Sequence, residues 1–234
     1  MIKPIYIVIS LLIINLDVVD RYFQPDYFQQ RQQLVNTDFY DWKKELVDSF
    51  DIPEPAINMA LNGFYDLENK NLLTKDSLLT IIDFSSPSTD KRLYILDIKN
   101  QRLLKHTLVA HGINTGNVFA ESFSNVRESR KSSLGFYITK DTYYGEHGYS
   151  LRIQGMSKGI NDKAADRAIV IHGADYVSQD FIESFGRIGR SFGCPALPID
   201  ETDEIIDLIK NGSCLFIYHP SLIPISPSDL VKFD

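Results

Sequence analysis

The sequence predicts an α+β protein that is mainly β, with a small helical subdomain near the N-terminus. Short apolar runs separated by turn residues recur from about residue 76 to residue 218, which is typical of β-strands. Between residues 38 and 75 the apolar positions instead recur at helical spacing. Hydrophobic residues make up 44% of the 234 positions and aromatic residues 12%, so the chain can form a packed core.

The first 20 residues have the pattern of an export signal. Lys3 supplies a positive charge, and an apolar run follows over residues 5–16 before Asp17. This run is shorter than the ~20 residues that a membrane-spanning helix needs. It predicts a signal peptide or an uncleaved anchor that tethers the protein to the inner membrane, with a buried strand as the alternative. We therefore expect a periplasmic or cell-envelope protein, with a Gln-rich linker over residues 21–37.

Two helical patterns predict the subdomain over residues 38–75. The first, over residues 38–49, is short and amphipathic. The second begins after Pro53, and its apolar residues share one helical face. That face comprises Ala56, Met59, Ala60, Phe64 and Leu67. A stripe of this kind usually packs against the rest of a protein, so we assign it no ligand.

Residues 76–234 are predicted to form the main, β-rich domain. The predicted strands are 79–84, 92–98, 103–110, 135–139, 149–154, 167–172 and 213–218. Two helices interrupt them, at 178–185 and 203–210, and each is followed by a glycine-containing stop. A long polar loop over residues 111–133 contains Arg127, Arg130 and Lys131. A loop of this length in a compact domain is usually functional or mobile.

Charge and histidine spacing argue against two classes of function. A net charge of −7 provides no basic surface for nucleic acid. His111, His147 and His172 are widely separated and lack the short paired spacing of metal ligands. The sequence therefore predicts no nucleic-acid partner, no metal site and no cofactor.

The strongest chemical signal is a cysteine that follows a histidine by 22 positions. Cys194 comes directly after Gly193 in a constrained turn, while His172 ends a strand-like run. A thiol needs a base to become a nucleophile, and an imidazole can serve as that base. Successive N–H groups around Gly193 could form an oxyanion hole, with Ser191 as a hydrogen-bonding support and Gly173 leaving room beside the ring.

The residues alone leave a second interpretation open, in which Cys194 is a buried thiol and His172 a core histidine. The chain has one other cysteine, Cys214, within a strand-like run. We expect Cys214 to be buried and unreactive and Cys194 to be free. A disulfide between them is the alternative in an oxidising compartment.

The pairs His172-Gly173 and Gly193-Cys194, with Ser191 in between, also carry a resemblance to a known family. Together with runs at 109–112, 132–137, 145–151 and 168–174, they make residues 79–218 similar to the catalytic domain of murein L,D-transpeptidases, the YkuD-type cysteine enzymes. The resemblance implies a β-sandwich catalytic domain. It also implies that Cys194 is the nucleophile and His172 its base.

The resemblance further implies a reaction on peptidoglycan stem peptides. Cys194 would attack the L,D-peptide bond between the diamino acid at position three and the terminal D-alanine, and form a thioester. Transfer to an amine of a second stem peptide would give a cross-link. Transfer to water would make the chain a carboxypeptidase or another wall-trimming hydrolase, and an inactive site would leave a wall-binding module. Carbapenems characteristically acylate this family and are expected inhibitors.

The sequence departs from the family pattern beside the cysteine. Phe192 stands where a histidine is typical, and Pro195-Ala196 replaces an apolar residue followed by arginine. Binding of a substrate anion therefore falls to another guanidinium group, and Arg190 and Arg187 are the candidates.

Three further residues lie in runs that resemble the family. His111, His147 and Tyr149 are candidates for lining the substrate groove. The alternative for each is structural: a loop histidine bonded to the backbone, or a tyrosine packed in the core or at the rim.

Overall fold

The computed structural model describes residues 37–225 and 227–231. Within the described residues, the chain divides between Lys44 and Glu45, inside the first described helix. The signal or anchor predicted for residues 1–20, and the predicted linker as far as residue 36, lie outside the described residues. Within the described part, no helix combines the length and the apolarity needed to span a bilayer.

Two helices, α1 (Thr37–Phe50) and α2 (Glu54–Asn69), occupy the segment for which two helices are predicted. α2 starts directly after Pro53 and has another proline in its first turn, where a missing N–H leaves no hydrogen bond unmade. All five residues of its predicted apolar face are buried, and α2 packs on the main sheet. The predicted helical N-terminal part is thus confirmed.

In the described part of the chain, eight strands form one mixed sheet. They are β1 (Leu78–Asp83), β2 (Leu93–Asp97), β3 (Arg102–Thr107), β4 (Gly135–Gly145), β5 (Gly148–Gly155), β6 (Val170–Ala174), β7 (Ala196–Pro198) and β8 (Cys214–Tyr218). The spatial order is β3-β2-β1-β8-β4-β5-β6-β7. Helices α3 (Gln179–Phe185), α4 (Thr202–Ile209) and the short α5 (Pro227–Leu230) complete the described part, with a 3-10 turn at Pro220–Leu222. The predicted mainly β, α+β class is confirmed.

Strand β4 connects the two halves of this sheet. Its residues 135–138 pair with β8, while residues 137–145 pair with β5 across an irregularity between Thr139 and Thr142. Such an irregularity bends a strand and increases its twist. β4 can therefore belong to two halves of different orientation.

The two edges of the sheet meet beside the predicted active site. β3 and β7 are the edge strands, yet Ala110, three residues beyond β3, forms an antiparallel bridge with Ala196 of β7. The two N···O distances are 2.8 and 3.4 Å. These alanines belong to a buried apolar cluster with Ala174, Val177 and Ile188. The sheet thus closes on itself at this point.

Several elements differ from the predictions. β4 runs to Gly145 instead of ending at residue 139, because its second half pairs with β5 in a hairpin. β7 was not predicted, because a strand of three residues is too short to show a period. β6 begins at Val170 instead of residue 167, since the Arg167 N–H donates to the Lys163 carbonyl and Ala168 has a φ of 54° in preceding turns. β3 ends at Thr107 because the chain then leaves β2 to reach β7.

Replacing Gly63 by alanine is expected to destabilise the fold. Gly63 lies within α2, where alanine alone would raise helix propensity by about 1 kcal/mol. A Cβ at this position would, however, overlap the ring of Phe136, which is fully buried in β4. Overpacking of this kind costs roughly 1–3 kcal/mol, so the Gly63→Ala protein should have a lower free energy of unfolding in urea.

The matched control is Asn62→Ala, at an exposed position of the same helix. This change should be neutral or slightly stabilising, because it alters helix propensity alone. A Gly63→Ala protein more stable than the parent would contradict the close packing of α2 on β4.

Candidate active site

The turn that carries Cys194 is closed by the side chain of Ser191. The Ser191 hydroxyl accepts a hydrogen bond from the Gly193 N–H (3.0 Å) and donates one to the Cys194 carbonyl (2.6 Å). Gly193 has a φ of 126°, which side-chain-bearing residues rarely adopt, and a Cβ there would lie 2.9 Å from the Lys131 carbonyl oxygen. The Ser191 side chain therefore bonds to the backbone of the turn on both sides of Gly193.

Hydrogen bonds anchor this turn to the segment that follows β3. The Ser191 N–H donates to the His111 carbonyl at 3.0 Å. The buried Ser132 hydroxyl accepts from the Gly112 N–H (3.0 Å) and donates to the Gly193 carbonyl (3.2 Å). The position of Cys194 therefore depends on two loops that are remote in sequence.

The Cys194 sulfur is half-buried against the backbone that leads into β6. It accepts a hydrogen bond from the Val170 N–H (3.5 Å), and its own proton is directed to the Ala168 carbonyl (3.8 Å). Burial raises the pKa of the thiol above its ordinary value, and the Val170 N–H and the Arg167 charge offset part of that increase. The resting group is accordingly a neutral thiol.

The His172 ring lies on β6, two residues beyond Val170. Its Nδ1 is 2.9 Å from the Gly173 carbonyl, which can only accept, so Nδ1 carries the proton and Nε2 has the free lone pair. His172 pairs with Ala196 of β7, two residues beyond Cys194. The structure therefore brings the cysteine turn and the histidine strand side by side. In the described structure, however, no hydrogen bond joins the sulfur to the ring, because the thiol is bonded to the β6 backbone.

A cavity of about 640 Å³ adjoins the cysteine turn. Two of its lining residues lie close to Cys194. The carbonyl of Ala168 contacts the Cys194 sulfur, and Phe192 lies two positions before Cys194 in the chain. Arg127 and Arg130 also line the cavity. Sequence reasoning marked the loop with these arginines as functional or mobile but did not connect it to the cysteine.

Residues 49–218, well over half of the chain, match the family described as the L,D-transpeptidase catalytic domain. The chain belongs to this L,D-transpeptidase family. No protein of curated function matches the chain at a significant level.

Several solved structures are similar at low identity. The chain is 12% identical to an L,D-transpeptidase from Mycobacterium smegmatis, with a TM-score of 0.37 and coverage of 61% of this chain and 59% of that one. It is 10% identical to L,D-transpeptidase 3 from Mycobacterium tuberculosis in complex with a faropenem-derived adduct, with a TM-score of 0.40 and coverage of 61% of this chain and 60% of that one. It is 16% identical to the helical cell shape determining protein Pgp2 from Campylobacter jejuni, with a TM-score of 0.39 and coverage of 67% of this chain and 53% of that one. The chain thus spans about three fifths of the length of the two mycobacterial proteins.

In this L,D-transpeptidase domain, His147 lies against the candidate base. It belongs to the β4–β5 hairpin, and its ring stacks on that of His172 with a centroid distance of 4.4 Å and an interplanar angle of 22°. Burial lowers the pKa of His172, the Gly173 carbonyl opposes this effect, and the charge of His147 lowers it further. His147 is exposed, whereas the His172 ring on which it stacks is buried.

His111 does not line a groove, because it is fully buried beside Arg92. The Arg92 Nη2 is 2.9 Å from His111 Nδ1, and since guanidinium has no acceptor, Nδ1 must accept. The Nε2 proton then faces the Gly116 carbonyl at 3.3 Å. Burial and the Arg92 charge lower the pKa of His111 from 6.5 to about 3. The structural alternative is therefore the correct one for this histidine.

The other predicted substrate ligands bond to the protein itself. Arg190 donates to the carbonyl of Gly116 at 2.9 Å, and Arg187 to the carbonyl of Ile188 at 2.8 Å. The Tyr149 hydroxyl donates to Asp207 of α4 at 2.7 Å. The structure does not bring these three side chains to the cysteine.

Two predicted roles for glycines are corrected. Gly173 leaves no room for substrate, because a Cβ there would lie 2.5 Å from the Thr202 hydroxyl oxygen; it allows α4 to approach β6. The Gly193 N–H is bonded to Ser191, so it is not free for an oxyanion. The Cys194 N–H, by contrast, has no acceptor among the described residues.

Both cysteines are free, and Cys214 is fully buried in β8. The alternative of a disulfide between Cys194 and Cys214 is therefore wrong for this structure. Among the described side chains, no three histidine, cysteine or carboxylate groups are placed to hold a metal ion.

Alkylation of Cys194 by iodoacetamide is expected to accelerate continuously from neutral to alkaline pH. The raised thiol pKa makes thiolate a minor form, whose fraction grows about tenfold per pH unit below that pKa. Peptide mapping by mass spectrometry measures the rate, with the buried Cys214 as an internal control that should stay unmodified. A rate already constant below neutral pH would instead indicate a resting thiolate–imidazolium pair.

The free energy of unfolding is expected to fall on acidification because His111 is held neutral. The folded pKa of about 3 lies below the unfolded value of 6.5, so the unfolded state binds more protons between them. The stabilisation is complete above pH 6.5 and is lost as the pH falls towards 3. The slope from this group is at most about 1.4 kcal/mol per pH unit.

The variant His111→Asn tests this assignment. Asparagine keeps an acceptor near the Nδ1 position for Arg92 but does not titrate. Urea unfolding at several acidic pH values should show a shallower slope than the parent, while His219→Asn, at a less buried histidine, should change it less. An unchanged slope in His111→Asn would contradict the buried neutral state.

Proposed function

We propose that this chain is a cysteine-dependent peptidoglycan L,D-transpeptidase. It would form a thioester with one stem peptide and transfer the acyl group to an amine of a second. One observation carries the proposal: Cys194 Sγ lies against the β6 backbone beside His172, whose Nδ1 is held by Gly173 and whose Nε2 is available as a base. Family membership supports the same reaction class.

The proposed acylation step starts from a neutral Cys194 thiol and a neutral His172 imidazole. The sulfur leaves the Ala168 carbonyl, and its proton passes to Nε2 of His172, directly or through one water, as sulfur attacks the carbonyl carbon. The tetrahedral intermediate then loses the D-alanine amine, which takes the proton back from His172. A new C–S bond replaces the C–N bond, and the product is a thioester. Because the base is neutral and the thiol protonated at rest, proton transfer accompanies attack.

The oxyanion is best assigned to the Cys194 N–H. This donor lies next to the nucleophile and has no acceptor among the described residues, whereas the Gly193 N–H is bonded to Ser191. Ser191 would keep the Cys194 N–H oriented, because its hydroxyl bonds to both sides of the turn. Its proposed role is positional.

The fate of the thioester decides between transfer and hydrolysis. An amine of a second stem peptide gives a cross-link, whereas water gives a carboxypeptidase product. We propose transfer as the main reaction, at the periplasmic or cell-envelope location that the first 20 residues indicate. Carbapenems are the proposed inhibitors, since one solved structure of similar fold is described as an L,D-transpeptidase in complex with imipenem.

Incubation with imipenem should yield a single covalent adduct, detected by intact-mass spectrometry. The Cys194→Ala protein should form none, because the nucleophile is absent, while Cys214→Ala should still form it. With purified muropeptides, the parent should produce dimers that contain one D-alanine fewer than the two monomers from which they form. A folded parent that stays unmodified, or an adduct that persists in Cys194→Ala, would refute the assignment.

A further inference from the structure

The cavity beside the cysteine turn has walls of both charges. Arg127 and Arg130 contribute cations, and Glu128 and Asp166 contribute carboxylates. With Arg167, three arginines face two carboxylates, so the lining is slightly positive although the protein as a whole has a net charge of −7. A ligand that carries both an anion and a cation would match such a lining.

Of the three arginines that line this cavity, Arg127 and Arg130 are available to a ligand, because Arg127 makes only a 3.9 Å ion pair with the exposed Glu128. Arg130 is the better carboxylate ligand because an aromatic ring also fixes its guanidinium. Its guanidinium lies 4.5 Å from the centroid of the Phe192 ring, and no described residue accepts a hydrogen bond from it. Arg167 instead donates to the Ser124 carbonyl (2.6 Å) and to the Lys131 carbonyl. Arg130 therefore combines an exposed, planar donor with an exposed aromatic surface, a pairing suited to a carboxylate.

The backbone around this cavity is strained and held in place. Glu128, Arg130 and Ala168 have φ values of 58°, 54° and 54°, in the left-handed region. The Arg130 carbonyl accepts from the Asn114 N–H at 3.1 Å, which ties the arginine's loop to the loop beside the cysteine. Strained non-glycine residues concentrate where a site must be preorganised, and three of them line this cavity.

The cavity lies within reach of the third residue of a donor peptide. In the thioester, the carbonyl of that residue is bonded to Cys194, whose sulfur is 3.8 Å from the carbonyl of the cavity residue Ala168. A diaminopimelate side chain extends roughly 6 Å from its Cα, by standard bond lengths, and ends in a carbon with an amine and a carboxylate. Its length and its two charges match the lining.

We propose that this cavity binds the amine- and carboxylate-bearing end of the donor's third side chain, with Arg130 as the carboxylate ligand. The inference rests on the proposed function and names the substrate class of the same site. Arg130 would distinguish a stem peptide with a free side-chain carboxylate from one in which that carboxylate is amidated. Phe192, at the position of the family's histidine, holds the guanidinium in place by stacking.

Two matched tetrapeptides test the subsite: one ends in diaminopimelyl-D-alanine with a free side-chain carboxylate, and the other has that carboxylate amidated. Release of D-alanine should show a kcat/KM roughly 10- to 100-fold higher for the free carboxylate in the parent. Arg130→Gln should remove this preference by raising KM for the free form alone. Arg102→Gln, which removes an exposed arginine from β3, should leave the preference intact.

A binding measurement tests the proposed subsite independently of the proposed reaction. Calorimetry with the Cys194→Ala protein should show tighter binding of the free-carboxylate peptide, and adding Arg130→Gln should abolish the difference. Equal binding of the two peptides would overturn the subsite whether or not D-alanine is released. An imipenem adduct on a protein without this preference would overturn the subsite and leave the proposed function standing.

Discussion

The position of the proposed nucleophile, Cys194, depends on the closure of the sheet. Two hydrogen bonds between Ala110 and Ala196 join the chain beyond β3 to β7, and the Ser191 N–H continues this contact at the His111 carbonyl. Cys194 lies between Ser191 and Ala196, so both ends of its turn are bound to the same segment. Because β7 also pairs with β6, this closure sets the turn beside His172.

A buried guanidinium supports that segment from the other side. Arg92 is fully buried, and its Nε and Nη2 donate to the Val109 carbonyl while Nη1 donates to the Ser86 carbonyl. A buried charge is stable only when its donors are satisfied, so the carbonyl of Val109 has little freedom to move. The order of the loop at the candidate active site is therefore coupled to the core, although Arg92 lies in neither the turn nor the cavity.

Local patterns predicted most of the strands, both helices of the N-terminal part and the pairing of Cys194 with His172 as a candidate. The fate of polar side chains was less predictable. Arg190 and His111 resemble substrate ligands in sequence, but their partners lie far along the chain: the carbonyl of Gly116 for Arg190, and Arg92 for His111. Only the folded structure shows which guanidinium is satisfied by backbone and which, like Arg130, is left to the solvent.

The protonated state of the Cys194 sulfur has a consequence for its lifetime. Oxidants such as peroxide attack the thiolate, and the products beyond sulfenic acid are mostly irreversible. A half-buried sulfur whose pKa is raised spends little time in the vulnerable form. If the proposed function holds, such a cysteine would persist in an oxidising envelope and would become reactive only when an acyl donor draws its proton towards the neighbouring imidazole.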